Sequence, residues 1–176
     1  MGTTFDSKQF RGALSVFATG ITVVTSRSAE GQDFGLTATS FNSVSLDPPM
    51  VLWSLDCKSS NAAAFEQVDH FAVHVLAAEQ EHVCKQFSTR GIDRFAGLEL
   101  ERGHGNVPVI QGCVAVFECR IAHRYQGGDH TIMVGEVLSL DTAESDPLVF
   151  YRGKISGPFC TADPAPAEVQ RELLRA

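Results

Sequence analysis

The most constraining feature of the sequence is a long alternation of apolar and polar residues on both sides of one glycine turn. From 113 to 125 the odd-numbered positions are mostly apolar, whereas even-numbered ones carry charges such as Arg120. Residues 126–129 (Gln-Gly-Gly-Asp) have turn composition, and apolar residues alternate again from 131 to 140. Because successive side chains of a strand point to opposite faces, this pattern predicts a long β-hairpin with one buried face. Cys113 and Cys119 lie on that face, where they are expected to act as small core residues.

Further strands are predicted where β-branched or apolar residues run between turn signals. They are the segments 21–25, 34–41, 50–55, 70–76 and 147–155. Together with the hairpin they give six or seven strands without the alternating strand–helix order of a parallel sheet. This pattern predicts a mainly β chain, an antiparallel barrel with a few short helices appended to it.

Three short helices are predicted from periodicity and capping residues. They are 7–18 after a cap at Asp6 or Ser7, a helix around 62–65 capped by Ser59 or Ser60, and 79–87. Residues 89–106 show no period and are predicted as a long loop with a helical turn near Ile92. The length fits one domain over 1–160. Residues 161–176 shift to Ala, Pro and Glu and are predicted as a tail or short helix.

Charge and cysteine usage restrict the function classes. The formal net charge is −7, and the 14 Lys and Arg residues are spread along the chain, so nucleic acid is not an expected partner. No apolar run reaches about 18 residues and the first residues do not resemble a signal peptide, so no membrane association is predicted. The five cysteines are odd in number and scattered, which indicates reduced thiols in the cytoplasm.

Several common catalytic motifs are absent from the sequence. The nearest approach to the dinucleotide fingerprint G-x-G-x-x-G is 103–108, where Pro108 replaces the third glycine. Phosphate-binding P-loop, nucleophile-elbow and zinc-protease motifs do not occur. His70 and His74 are four residues apart, but they lie in a predicted strand, where this spacing does not form a helical metal clamp. No metal site is predicted.

Two polar segments suggest a site for a phosphate monoester. Residues 37–45 alternate hydroxyl and apolar side chains, and 56–61 (Asp-Cys-Lys-Ser-Ser-Asn) stand at a predicted helix start. Hydroxyls, backbone amides and a lysine at a helix N-terminus can bind phosphate. The same residues also suit ordinary strands and an ordinary helix cap, so the residues alone leave both interpretations open.

Five blocks of the sequence together resemble the short-chain flavin reductases, the reductase partners of two-component flavin-dependent monooxygenases. The first block is 35–49, Gly-Leu-Thr-Ala-Thr-Ser-Phe-Asn-Ser-Val-Ser-Leu-Asp-Pro-Pro. The others follow in the same order along the chain, at 95–97, 117–119, 128–137 and 147–154. The resemblance runs from about residue 10 to 155. It implies a homodimer with a split β-barrel (Greek-key type) that binds FMN or FAD without a separate dinucleotide domain.

The resemblance also assigns residues to the flavin. One group would line the isoalloxazine ring and the start of the ribityl chain, namely Thr37, Ala38, Thr39, Ser40, Ser43 and Ser45. A second would wrap the ribityl chain and phosphate, namely Ser54, Leu55, Asp56, Cys57, Lys58, Ser59, Ser60 and Asn61. Phe87 and Ser88 would contact the flavin tail.

The pyridine nucleotide is assigned in the same way. His130 corresponds to the histidine that the family places over the nicotinamide, and Tyr151, Arg152, Gly153 and Lys154 to the segment that closes on NADH or NADPH. From the residues alone, His130 also suits a turn edge, Tyr151 a packing position, and the cations solvated surface positions. Arg94 and Phe95 are interpreted as loop residues, and Trp53 as core or dimer interface.

The implied reaction moves a hydride from NADH or NADPH to FMN or FAD and delivers reduced flavin to an oxygenase, with aromatic catabolism as the expected setting. His130 is expected to position the nicotinamide, as a donor near its amide. Two alternatives stay open. One is an FMN-dependent oxidase of the pyridoxamine-phosphate type, and the other is a flavin- or haem-binding protein without enzymatic activity.

Overall fold

The computed structural model describes residues 4–157, so the predicted tail at 161–176 lies outside the described residues. The helices are α1 (Ser7–Leu14), α2 (Ala62–Glu66) and α3 (Glu81–Ser88). The strands are β1 (Thr19–Gly20), β2 (Thr22–Arg27), β3 (Asp33–Ala38), β4 (Asn42–Leu46), β5 (Pro49–Asp56), β6 (His70–Val75), β7 (Leu100–Arg102), β8 (Pro108–Ile110), β9 (Ala115–Gly127), β10 (His130–Thr142), β11 (Val149–Tyr151) and β12 (Lys154–Ser156). The mainly β class with few short helices is confirmed.

One antiparallel sheet of seven strands dominates the fold, in the order β3-β2-β6-β9-β10-β5-β4. Its centre is the predicted hairpin, whose strands β9 and β10 pair from His130–Gly127 to Thr142–Ala115. Two smaller sheets stand beside it, one of β1, β11 and β12 and one of β7 and β8. Strands β3 and β4 are the open edges of the large sheet, which is why the sheet does not close by its own hydrogen bonds.

The main core lies on the inner face of the large sheet. Trp53 has no exposed surface, and its ring meets Phe65 and Phe71 edge-on at centroid distances of 4.9 and 6.1 Å. The interpretation of Trp53 as a core residue is confirmed. Cys113 and Cys119 are also buried, as the alternation predicts, and burial raises the pKa of their thiols to about 11 and 12.

Several predicted boundaries were wrong. Helix α1 ends at Leu14, and Asp6 caps it by accepting a hydrogen bond from the Gln9 amide at 2.7 Å. In the segment 89–106, predicted as a loop with a helical turn near Ile92, the turn lies at 94–97. The segment also contains strand β7. Strand β4 was not predicted, because its residues are mostly polar. The segment 147–155, predicted as one last strand, contains the β11–β12 hairpin. Residues 152 and 153 both adopt positive φ angles and turn the chain between the two strands.

His74 is a buried core histidine that uses both ring nitrogens. Its Nδ1 lies 3.0 Å from the carbonyl oxygen of Val23, and its Nε2 accepts a hydrogen bond from the Ile110 amide at 3.1 Å. Nδ1 therefore carries the proton and the ring is neutral. Burial lowers the pKa of His74 to about 4. This residue joins three strands and is unavailable as a metal ligand.

We expect the protein to lose stability in mild acid through His74. The unfolded ring binds a proton near pH 6.5, whereas the folded ring does so only near pH 4, so protons favour the unfolded state between these values. The stabilisation is complete above pH 6.5 and falls by about 2 kcal/mol between pH 7 and pH 5. Urea unfolding at several pH values measures it. His74→Phe should flatten the profile and His82→Gln, at an exposed position, should not; equal slopes in both variants would contradict the assignment.

Candidate active site

The two segments assigned to the flavin meet at one end of the large sheet. Ser40 follows β3 and Ser54 lies in β5, and the Ser54 amide donates to the Ser40 hydroxyl at 2.9 Å. Thr39 and Ser40 are exposed there. Strand β4 brings Ser43 and Ser45 alongside β5, opposite Val51 and Met50. The hydroxyl-rich segment 39–45 and the end of β5 therefore form one surface.

The loop after β5 is folded tightly on itself. Asp56 accepts a hydrogen bond from the Lys58 amide at 2.8 Å, and the Ser59 hydroxyl accepts one from the Asn61 amide at 3.2 Å. The residue that precedes α2 is Asn61, and it makes no side-chain capping bond. The predicted caps Ser59 and Ser60 were therefore wrong: Ser59 stabilises a turn instead. Helix α2 has only five residues, so its dipole cannot carry phosphate binding.

The carbonyl of Gly35 joins three segments of the site. It accepts hydrogen bonds from the Asn61 side-chain amide at 2.8 Å and from an Arg94 guanidinium nitrogen at 2.6 Å. Because β3 is an edge strand, this carbonyl has no ladder partner on that side. Arg94 also donates to the Thr89 carbonyl at 3.0 Å. The post-β5 loop and the 89–99 loop are thereby fixed against β3.

A cleft of about 490 Å³ opens between these segments, and two arginines line it. Within residues 4–157, neither Arg90 nor Arg94 forms an ion pair with a carboxylate. Burial and the neighbouring charge of Arg90 lower the pKa of Arg94. The guanidinium nevertheless carries its charge, as arginine does in proteins. Ser60 and Asn61 also line the cleft. The arrangement offers charge-assisted hydrogen bonds to an anion.

Arg94 and Phe95 lie in a loop, as interpreted from the sequence, whereas Arg90 was not singled out there. All three line the cleft, and Phe95 also packs edge-on against Phe87 at 5.1 Å. Two arginines four residues apart in a glycine-containing loop were the only sequence signal. Two acidic residues, Asp33 and Asp93, also line the cleft. Although burial opposes it, hydrogen bonds from Arg102 and Arg27 hold the pKa of Asp33 below its ordinary value, so its carboxylate is ionised and paired with both arginines.

Three residues assigned to the flavin have side chains that face the core. Ala38, Leu55 and Phe87 are 8, 3 and 1% exposed. In the described chain they present mainly backbone groups to a ligand, and the flavin contacts implied for them stay predictions. Their burial follows from strand and helix parity: Leu55 shares a face with Trp53. Thr37 and Ser88 both donate to the Cys84 carbonyl, at 3.0 and 2.7 Å, and so tie β3 to the end of α3.

His130 lies at the other side of the post-β5 loop. It is the first residue of β10 and pairs with Asp56 of β5, while the Cys57 amide donates to the Asp129 carbonyl at 3.0 Å. Its Nδ1 lies 2.7 Å from a carboxylate oxygen of Asp129, and the side chain is 41% exposed. The structure therefore brings His130 and the loop from Asp56 to Asn61 together.

The segment assigned to the pyridine nucleotide is the β11–β12 turn. Arg152 and Gly153 form it, and the Arg152 amide donates to the Ser15 carbonyl at the end of α1 at 2.7 Å. The Arg152 guanidinium lies 5.4 Å from the Tyr151 ring centroid, and Lys154 is exposed. No hydrogen bond or ion pair in residues 4–157 links this turn to His130.

Comparison with known proteins agrees with this architecture. Residues 14–157 match the family model described as the flavin reductase like domain. The chain belongs to the flavin reductase-like family. The FMN reductase (NADH) SmoA of Agrobacterium fabrum is 49% identical over 148 residues, which cover 84% of each chain. The reductase subunit HsaB of a flavin-dependent monooxygenase from Rhodococcus jostii is 37% identical over 153 residues, 86% of this chain and 78% of HsaB.

A solved structure of the family has the same fold. The NADH:FAD oxidoreductase SgcE6 of Streptomyces globisporus, in complex with NAD and FAD fragments, superposes with a TM-score of 0.84 at 35% identity and covers 92% of this chain and 100% of SgcE6. The predicted split-barrel class is therefore confirmed. None of the helices within residues 4–157 is long and apolar enough to cross a membrane.

The residues present fit a flavin phosphate. The cleft provides Arg90 and Arg94, both without carboxylate partners in the described chain, together with the hydroxyl of Ser60 and the amide of Asn61. Arginine donors and neutral polar groups suit a phosphate monoester dianion. Of the two carboxylates that also line the cleft, Asp33 is paired with Arg27 and Arg102, and Asp93 accepts a hydrogen bond from the Phe95 amide at 2.9 Å. The surface at 39–45 follows β3, whose residues 33–35 line the cleft, and contacts β5 through the Ser40–Ser54 hydrogen bond.

Proposed function

We propose that the protein is an NADH- or NADPH-dependent flavin reductase that reduces FMN or FAD and supplies the reduced flavin to a partner oxygenase. The observation that carries the proposal is the two-arginine cleft beside the folded 56–61 loop, with His130 on the far side of that loop. The relatives SmoA, HsaB and SgcE6 support NADH as donor, flavin as acceptor and an oxygenase as recipient.

The nicotinamide and the flavin supply the hydride chemistry themselves, so the protein needs no acid or base for that step. Its residues bind and orient. Arg90 and Arg94 hold the phosphate, and the 39–45 surface supports the ring with backbone and hydroxyl groups. His130 positions the nicotinamide so that the two rings stack at about 3–3.5 Å. An open surface also lets the flavin leave after reduction.

Anaerobic mixing with NADH and excess FMN tests the function. Continued loss of the flavin absorbance at about 450 nm over many turnovers, with one NADH oxidised per flavin reduced, supports a reductase. An oxidase of the pyridoxamine-phosphate type would bleach only with an amine substrate, and a flavin or haem carrier would oxidise no NADH. Either of these results would overturn the proposal.

We expect His130→Ala to raise the KM for NADH and lower kcat while leaving FMN affinity unchanged. One lost hydrogen bond to the nicotinamide is worth about 0.5–1.5 kcal/mol, which corresponds to roughly a 3- to 10-fold fall in kcat/KM for NADH. Steady-state kinetics with each substrate varied in turn measure it. His123→Ala, at an exposed position on β9, is the matched control. Unchanged NADH kinetics in His130→Ala would contradict the assignment of His130 to the nicotinamide.

The exposed apolar residues support a homodimer. Helix α1 buries none of its residues, and Phe10, Leu14 and Phe17 are 50, 56 and 72% exposed in the single chain. Leu46 of edge strand β4 is 77% exposed. Surfaces of this kind mark protein interfaces. We expect analytical ultracentrifugation to give twice the mass of one chain and Phe17→Glu to shift the protein toward the monomer; a monomeric wild type would contradict this.

A reducing compartment fits the cysteines of the described chain. Cys57, Cys84, Cys113 and Cys119 are all free thiols. This supports the cytoplasm as the location, where disulfides are rare. An aromatic substrate for the partner oxygenase stays a prediction.

A further inference from the structure

The contact between Asp129 and His130 has a consequence for the proton on the histidine ring. Nδ1 of His130 lies 2.7 Å from Oδ1 of Asp129. An ionised carboxylate can only accept hydrogen bonds, so the short distance requires a proton on Nδ1. In the neutral ring Nε2 then has a free lone pair. Without such a partner, the neutral imidazole of histidine in water favours the proton on Nε2.

The backbone of Asp129 is held in place, and its carboxylate side chain is 85% exposed. The Asp129 carbonyl accepts the Cys57 amide at 3.0 Å, and Gly128 turns the chain before it with φ of +73°. The hydrogen bond from His130 and the charges of His130 and Lys58 hold the pKa of Asp129 below its ordinary range, so it is ionised at neutral pH. Asp129 thereby connects the 56–61 loop to the histidine ring.

We propose that Asp129 is a positioning residue that keeps the His130 proton on Nδ1, so that Nε2 accepts a hydrogen bond from the carboxamide NH₂ of the nicotinamide. The hydrogen bond to the nicotinamide rests on the proposed function, whereas the tautomer of His130 concerns the free protein alone. The proposal reverses the expectation that His130 is a donor. It fits the substrate, because the carboxamide NH₂ can only donate.

The same chain contains an internal reference for the measurement. His74 has the identical tautomer for a different reason, with Nδ1 facing the Val23 carbonyl and Nε2 accepting from the Ile110 amide. Its ring is buried in the sheet, so changes at Asp129 should not affect it. A charge-matched control is Asp141→Ala, which removes an exposed carboxylate at the other end of β10.

The decisive experiment is long-range ¹H–¹⁵N NMR of the histidine rings in the intact protein at about pH 8.5, above the ordinary histidine pKa. The His130 signals are assigned by their loss in His130→Ala. We expect the Nδ1–H pattern in the wild type and in Asp141→Ala, and a shift toward Nε2–H in Asp129→Ala with His74 unchanged. An Nε2–H pattern in the wild type, or no change in Asp129→Ala, would overturn the tautomer assignment.

Steady-state kinetics test the proposed hydrogen bond between His130 and the nicotinamide carboxamide. Asp129→Ala should raise the KM for NADH about 3- to 10-fold without raising the KM for FMN, and Asp129→Asn, which keeps an acceptor oxygen, should restore part of it. An equal rise in both KM values would indicate a structural role and refute the positioning role. If the wild type oxidises no NADH, the proposed function fails, whereas the NMR result still decides the tautomer.

Discussion

We expect Arg94→Ala to raise the KM for FMN by about 10- to 100-fold while the KM for riboflavin stays nearly constant. Charge-assisted hydrogen bonds contribute about 1.5–3 kcal/mol each, which sets the range. Riboflavin has the same ring and ribityl chain but no phosphate. The ratio of the two KM values therefore isolates the phosphate from every other effect of the substitution.

Arg94 also has a structural role, which the riboflavin comparison separates from binding. Its guanidinium donates to the carbonyls of Gly35 and Thr89, so its loss loosens the 89–99 loop. A loosened loop alone would weaken FMN and riboflavin alike. Arg94→Lys keeps the charge without the planar donor set and should recover part of the FMN affinity. Parallel losses for both flavins would contradict a phosphate contact.

Two further variants define the site around Arg94. Arg90→Ala removes a more exposed cation of the same cleft, and we expect the same selectivity with a smaller effect. Arg120→Ala is the matched control, since Arg120 forms a surface ion pair with Glu136 on the large sheet at 2.7 Å. It should leave both flavins unaffected.

The sequence predicts the parts of this fold that depend on local periodicity. The β9–β10 hairpin follows from its alternation and its glycine turn, and the burial of Cys119 follows from parity. Strand β4 escapes the same reasoning because its residues are mostly polar and lie at the sheet edge. The pairing of β4 with β5 comes from the chain reversal at residues 47–48, a local turn that periodicity does not contain.

The candidate site is less predictable because its groups come from loops. The resemblance indicates which segments surround the flavin but not which way each side chain points. Leu55 and Phe87 lie in those segments and face the core. Arg94 lies outside them and reaches the cleft only because the 89–99 loop folds back onto β3, where the Gln86 side chain donates to the Arg94 and Ala96 carbonyls, both at 3.0 Å. Such contacts are fixed by the tertiary fold.

The glycine at position 35 is the point at which packing and binding are most closely coupled. A Cβ atom there would lie 2.7 Å from the Val24 carbonyl oxygen and 2.9 Å from a ring carbon of Phe87. The first contact is with backbone of the paired strand, which cannot rotate away. The Gly35 carbonyl is also the shared acceptor for Asn61 and Arg94. A displacement of β3 therefore moves Asn61 and Arg94, which both line the cleft.

We expect Gly35→Ala to lower the free energy of unfolding by about 1–3 kcal/mol, the usual cost of overpacking, and to raise the KM for FMN at least as much as Arg94→Ala does. Unlike Arg94→Ala, it should also weaken riboflavin, because the displaced strand continues directly into the 39–45 surface. Gly20→Ala is the control: it lies in β1, has no atom within 4 Å of an added Cβ, and should change neither property. Urea unfolding and flavin titrations of the two variants provide the comparison. Wild-type flavin affinity in a destabilised Gly35→Ala protein would show that the carbonyl does not organise the site, whereas loss of both together would establish the close approach of β3 and α3 as the reason for a glycine here.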